Sequence, residues 1–223
     1  MNIRLTEGAV RAFFYLRSPK VRRVIAEVER EIRGGMWNRP EKRTLVVMTG
    51  MSLSGKTTLV NSHPQLRKCW QIRTRDIHDL LNRKLDFLRD DNSVRGRAYW
   101  VRQFLTETVR EKVLRQALQQ GIAIVLDSCH LTRRKRIARY RLAKRYGYHV
   151  VIIFVECPWM TLLSRATEAD HLSVARGGKR VWKDLIKQQV KVFEPPTPEE
   201  ADRLISGEYG KVEYKKLDFL RLS

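Results

Sequence analysis

Thr44-Leu45-Val46-Val47-Met48-Thr49 runs directly into Gly50-Met51-Ser52-Leu53-Ser54-Gly55-Lys56-Thr57-Thr58. The first stretch is a continuous uncharged, largely apolar run, the pattern of a strand buried on both faces of a parallel sheet. The second matches G-x-x-x-x-G-K-[ST] in full. Gly50 and Gly55 let the backbone curl so that successive N–H groups point inward at an anion. A helix starting near Gly55 adds its positive N-terminal end. Lys56 is then placed to reach the β- and γ-phosphates, and the Thr57 hydroxyl to ligate Mg²⁺. The alternative is an ordinary glycine turn. A strand before the loop and a helix after it favour a site for ATP, or another nucleoside triphosphate, from Gly50 to Thr58.

Working outward, apolar runs alternate with helical spacings. Strands are expected at residues 69–72, 122–126 and 149–155, the second ending in Asp127. Helices are expected over 76–88, over 94–120 closed by Gly121, and from Thr132 to 146 closed by Gly147. Two more follow, one opened by Pro158 and one over 181–193 stopped by Pro195-Pro196. Val21, Val24, Ile25, Val28 and Ile32 recur at spacings of three and four, so residues 1–33 read as helical. Strands alternating with helices imply an α/β fold, a parallel sheet flanked by helices. The chain divides into a basic helical N-terminal extension (1–43), a nucleotide domain (44–205) and a tail (206–223) with an edge strand near 212–217.

Lys and Arg number 45 against 24 Asp and Glu, a net charge of +21 with a pI near 10.5. A domain this basic repels itself, and a polyanionic partner offsets that. Nucleic acid (DNA or RNA) is the first candidate, an anionic membrane surface the second, and a generally basic surface the bland alternative. Residues 133–145 sharpen the point: Arg133, Arg134, Lys135, Arg136, Arg139, Arg141, Lys144 and Arg145 occur with no acid among them. An exposed helix normally mixes signs. This one suits phosphate tracking, with Tyr140, Tyr146 and Tyr148 as core residues or stacking platforms. Cys69, Cys129 and Cys157 form no CxxC pair and fit a reducing, cytoplasmic setting. The longest apolar stretch, residues 150–155, is too short to span a bilayer. Glu7, Glu27, Glu29 and Glu31 argue against a transit peptide. The histidines have no metal-ligand spacing.

Asp127 closes its strand either as an acid on the Mg²⁺ side or as a cap of the following turn. Asp76 suits a general base, a helix cap, or both. Arg165, Arg176 and Arg180 belong to a flexible basic lid that could reach phosphates, or to a solvated surface.

Taken in order, these pieces resemble the polynucleotide 5′-hydroxyl kinases and their small-kinase relatives, the zeta-toxin-like group included, over residues 44–205. The pieces are the loop at Gly50–Thr57, Ile72-Arg73-Thr74-Arg75-Asp76, the strand and turn from Ile124 to Leu131 with Arg133, Arg134 and Arg136, and Val155-Glu156-Cys157-Pro158 with Arg165, Arg176–Arg180 and Phe193-Glu194-Pro195-Pro196. The resemblance implies a P-loop kinase fold and ATP- and Mg²⁺-dependent transfer of the γ-phosphate to a 5′-hydroxyl end. It implies Lys56, Asp76, Arg165 and Arg176 as catalytic residues, with Arg180 on the nucleotide. Thr57 and Asp127 serve the metal, and Arg73, Arg75, Arg133, Arg134 and Arg136 the polynucleotide. One departure bears on the acceptor: Asp79 stands where these kinases often carry an arginine. A small-molecule or nucleotide-sugar kinase of zeta-toxin type is the second reading. A nucleic-acid-binding NTPase module of a larger assembly is the third.

Overall fold

The computed structural model describes residues 15–36, 42–88, 97–176 and 178–208. In chain order the elements are α1 (Pro19–Arg33), β1 (Thr44–Thr49), α2 (Lys56–Ser62), α3 (Pro64–Lys68), β2 (Trp70–Arg73), α4 (Thr74–Lys84) and α5 (Arg97–Gln120). Then come β3 (Ile124–Asp127), α6 (Arg133–Lys144), β4 (His149–Glu156), α7 (Trp159–Ala175), α8 (Trp182–Val192) and β5 (Arg203–Glu208). The chain forms two compact units, one from Met1–Trp37 with Arg73–Gln116, the other from Asn38–Ile72 with Ala117–Ser223.

The larger unit is built on a sheet of order β2-β3-β1-β4-β5, with β1 parallel to both β3 and β4, and β4 parallel to β5. Val46 lies opposite Val125 on one side and Val151 on the other, which puts the strand leading to the loop at the centre. Burial explains the order. All six residues of β1 are buried, whereas β2 alternates buried and half-buried positions. β3 rather than β2 lies beside β1, because its four buried residues suit a strand covered on both faces while β2 suits an edge. One sheet face packs Val46, Met48, Val125, Val151, Ile153 and Val155 against Leu59 and Val60 of α2 and Leu66 of α3. Each such burial contributes roughly 1.5–3 kcal/mol, so the helix that opens at the loop is anchored to the sheet.

β5 pairs with β4 from Val151↔Arg203 to Glu156↔Glu208. It was not read from sequence, since only Leu204 and Ile205 are apolar in it. The strand expected at 212–217 lies outside the described residues.

In the other unit, α1 buries Val21, Val24, Ile25 and Val28, the stripe read from its spacing, and packs against α4. Lys84 bridges Glu27 (3.3 Å) and Glu31 (2.6 Å), and Lys112 pairs with Glu29 at 2.9 Å. Among the described residues no helix is long and apolar enough to cross a membrane.

Candidate nucleotide site and basic face

The loop between β1 and α2 has the curl its glycines forecast. Gly50 sits at φ +133° and Gly55 at φ +103°. A Cβ on Gly50 would lie 2.6 Å from the Val155 carbonyl oxygen, so no other residue fits there. Leu53 holds φ +65°, a conformation that costs a non-glycine residue about 1 kcal/mol or more. Lys56 is buried, and its ammonium donates to the Met51 carbonyl (2.6 Å) and to Ser54 Oγ (3.3 Å), spanning the mouth of the loop. Thr57 Oγ1 donates to Asp127 Oδ2 at 2.8 Å. A hydroxyl and a buried carboxylate so placed are hard oxygen donors, the set Mg²⁺ prefers when it takes its other ligands from water and phosphate. No cluster of three or more His, Cys, Asp or Glu that could hold a metal occurs among the described residues. Thr57 and Asp127 are oxygen donors of the kind that would hold an ion shared with a bound nucleotide.

The outer turn of the loop is held from α7 and α8. Asp170 accepts from the backbone N–H groups of Val181 (2.7 Å), Trp182 (2.8 Å) and Lys183 (3.3 Å), tying the start of α8 to α7. Leu162, Ala166 and Ile186 make a small core, and Met51, Leu53, Cys157 and Trp182 pack on it. Arg165 donates to the Leu53 carbonyl at 2.8 Å and contacts Cys157 Sγ at 3.7 Å. Burial pushes the Cys157 thiol up, against the nearby Arg165, so it stays protonated at neutral pH. Gln189 accepts from Ser52 N–H at 2.7 Å and donates to Ser52 Oγ at 2.8 Å.

The described residues of the basic loop after α7 fold back on Ser173: Arg176 N and Gly178 N donate to its carbonyl, and its hydroxyl donates to the Lys179 carbonyl. A Cβ on Gly178 would come within 2.5 Å of Ser173 Oγ. Arg176 and Arg180 project from this loop as exposed side chains, and only Arg165 of the lid arginines touches the phosphate loop.

Asp76 lies in the first turn of α4, exposed. Arg73 takes the N-cap position and no side chain caps it, so Asp76 is not the cap. Exposed Arg75 reaches Asp79 at 3.8 Å, and Arg73 is half-buried. Residues the sequence reading missed support this helix. Arg110, buried on α5, donates to Thr74 Oγ1 at 3.1 Å and pairs with Glu107. Burial, helped by the charges of Arg102 and Arg110, pushes His78 down to about 4, so it is neutral at pH 7.

The arginines of α6 part ways. Arg133, Arg134 and Arg141 are exposed and line a shallow, open depression with Ile137, Ala138 and Glu194. Arg136 was expected on that surface and is not there. It is 1% exposed. Its guanidinium donates to both carboxylate oxygens of Glu200 (2.7 and 3.0 Å), to the His130 carbonyl (3.0 Å) and to the Pro195 carbonyl (3.3 Å). A side chain sealed this way cannot meet a polynucleotide. Tyr148 is likewise no stacking platform: it is fully buried, its hydroxyl bonded to the carbonyls of Ala117 and Ile122. Glu200 carried a readable signal, because Thr197-Pro198-Glu199-Glu200 has capping-box spacing, and Glu200 Oε1 accepts from Thr197 N at 3.0 Å.

A family model described as "AAA domain" matches residues 45–196. No curated protein matches the chain. Among solved structures, a chain of the PezAT chromosomal toxin–antitoxin system of Streptococcus pneumoniae is similar, with a TM-score of 0.61 at 12% identity over 90% of this chain and 87% of that one. A candidate kinase of Chloroflexus aurantiacus is similar with a TM-score of 0.56 at 16% identity, over 79% of this chain and 95% of the other. At these identities the likeness is one of fold.

Proposed function

The chain belongs to the AAA domain family, and from that premise we propose that it is an ATP- and Mg²⁺-dependent phosphotransferase whose acceptor is a 5′-hydroxyl end of DNA or RNA. The phosphate loop with Lys56, and Thr57 beside Asp127, supports nucleotide use. The observation that carries the acceptor is the exposed basic face of α6, where Arg133, Arg134 and Arg141 line a shallow, open depression. A small acceptor has no need of such a surface, and a polyanion does.

In this reading Lys56 and the loop amides bind the phosphates, and Thr57 and Asp127 would hold the metal, which would supply charge neutralisation at the transferring group. Asp76 takes the proton of the acceptor hydroxyl, a job that needs an accessible carboxylate. Arg165 fixes the loop through Leu53, and the exposed Arg176 and Arg180 are the charges available to phosphate oxygens. Arg73 and Arg75 stand near Asp76 in the chain to receive the acceptor's own phosphate.

The test is transfer. The protein is incubated with γ-labelled ATP, Mg²⁺ and a panel of 5′-hydroxyl oligonucleotides. Labelled oligonucleotide is expected from the wild type and none from folded Lys56→Ala. Asp76→Asn is expected to lower kcat by roughly 10²–10⁴ with little change in nucleotide affinity. Release of labelled phosphate alone would replace this reading with an NTPase module. Label on an added nucleotide sugar, with none on any oligonucleotide, would replace it with a small-acceptor kinase.

A further inference from the structure

Ser52 sits in the outer turn of the phosphate loop, between Gly50 and the start of α2. Its backbone N–H, the kind of group such a loop turns toward an anion, is taken by Gln189 Oε1 at 2.7 Å. Its hydroxyl oxygen receives the other end of the same amide, Nε2, at 2.8 Å. Gln189 is 8% exposed, so neither bond competes freely with water. The match is specific in type. Ser52 presents one donor and one acceptor, and a primary amide returns one of each without charge; a carboxylate has no donor, and lysine or arginine has no acceptor.

This has a consequence for the hydroxyl proton. One lone pair of Ser52 Oγ is used by the Gln189 amide, so the O–H must be donated elsewhere. The group it faces now is Cys129 Sγ at 3.4 Å, a weak partner, and either atom of that pair can be the donor. A phosphate oxygen is a far stronger one, because the bond is then charge-assisted.

We propose that Gln189 is a positioning residue for the nucleotide site: by holding Ser52 at two points, it directs the Ser52 hydroxyl proton away from α8 and makes it a donor to the bound triphosphate. The proposal rests on the reading of the loop as a triphosphate site. It assigns Ser52 to the outermost phosphate, beside Lys56, because the loop amides serve the inner ones while Lys56 spans the β- and γ-phosphates. Loss of Gln189 leaves the hydroxyl free to turn and its N–H without a partner, and triphosphate binding suffers more than diphosphate binding.

The experiment measures affinity for fluorescent ATP and ADP analogues with Mg²⁺. The proteins are wild type, Lys56→Ala, Ser52→Ala, Gln189→Ala, the Ser52→Ala/Gln189→Ala double variant and Gln189→Glu, each checked for folding by thermal melting. Gln189→Ala is expected to bind the triphosphate about tenfold more weakly. Its loss for the diphosphate should be several-fold smaller. The double variant should be no weaker than Ser52→Ala, because Gln189 acts through Ser52. Gln189→Glu should bind poorly at pH 8 and recover as pH falls toward 5, where a protonated carboxyl regains a donor; wild type should stay nearly flat. A residue that merely packs α8 would show none of that recovery. Wild-type-like binding by Gln189→Ala, alongside loss of binding in Lys56→Ala, would overturn the proposal and leave the loop assignment standing. Independent, multiplying effects of Ser52→Ala and Gln189→Ala would also overturn it. If Gln189→Ala fails to fold, the pH dependence of Gln189→Glu remains the test, and no recovery of binding at low pH would overturn the proposal. If wild type binds no nucleotide, the reading of the loop fails and the proposal goes with it.

Discussion

On one side of α6, Arg136 is enclosed by Glu200 and two backbone carbonyls; on the other, Arg133, Arg134 and Arg141 border an open pocket. The difference follows the helix repeat. Arg136, Arg139, Leu142 and Ala143 fall on the buried stripe, and positions 133, 134, 137 and 141 on the opposite one. A run of arginines is therefore not a measure of surface charge. The inward arginine costs desolvation and needs an acid of its own, which the chain supplies from residue 200. The outward ones need none. They start just past the Glu194 carboxylate, which accepts the Arg133 N–H at the opening of the helix.

The largest effect expected from this contrast is on stability. Arg136→Gln leaves the Glu200 carboxylate buried without its cation, a change that costs about 3–5 kcal/mol. The denaturation midpoint should fall by the corresponding amount, with the slope of the transition unchanged. Glu200→Gln should do the same from the other side. A loss below about 1 kcal/mol in both would mean that the inner arginine is not the structural half of the pair of faces.

A smaller, differently shaped effect is expected outside. Arg133→Gln with Arg134→Gln should leave stability within about 0.5 kcal/mol of wild type. Polynucleotide affinity should drop at low salt, and the slope of log K against log salt should fall by about 1.5, roughly 0.7–0.9 for each of two phosphate contacts removed. The loss should be alike for all sequences, because backbone contacts carry no base information. Nucleotide binding should not change. If wild type shows no affinity for single- or double-stranded nucleic acid at low salt, the outer face serves another partner and the small-acceptor reading gains.

The same contrast explains what could be read from sequence. The phosphate loop was legible because each position is fixed by a local demand: a positive φ at Gly50 and Gly55, a cation at Lys56, a hydroxyl at Thr57. The central strands were legible because a strand buried on both faces must be apolar throughout. Arg136 was half legible, since the stripe through Leu142 and Ala143 points to it at a helical spacing, but its charge argued louder than its position. Gln189 and Asp170 were not legible. Their roles come from pairings with Ser52, far back in the chain, and with the backbone of the next helix, and glutamine or aspartate alone gives no sign of either. β5 was missed because its place is set by β4 and by Asp202, not by its own apolar content.

Asp202 supplies the smallest and sharpest test, because it is where the outer face of α6 does meet an acid. Its carboxylate accepts from Val150 N–H at 2.7 Å and from Lys144 Nζ at 3.1 Å, with Tyr140 and His149 close by. Burial pulls its pKa up. The Val150 N–H, the Lys144 ammonium and the charge of His149 outweigh that, and the carboxyl sits below the usual aspartate range. A carboxylate lowered in the fold binds its proton less readily there than in the unfolded chain. Its stabilisation is therefore present above about pH 4, the unfolded value, and is lost as pH falls through the lower folded value. The site is partly solvated, so Asp202→Asn should cost only about 0.5–1 kcal/mol at pH 7. Denaturant titrations of wild type and Asp202→Asn should differ by that amount from pH 7 down to about 5 and converge by about pH 3. A difference that persists at pH 3 would show that Asp202 acts by shape alone.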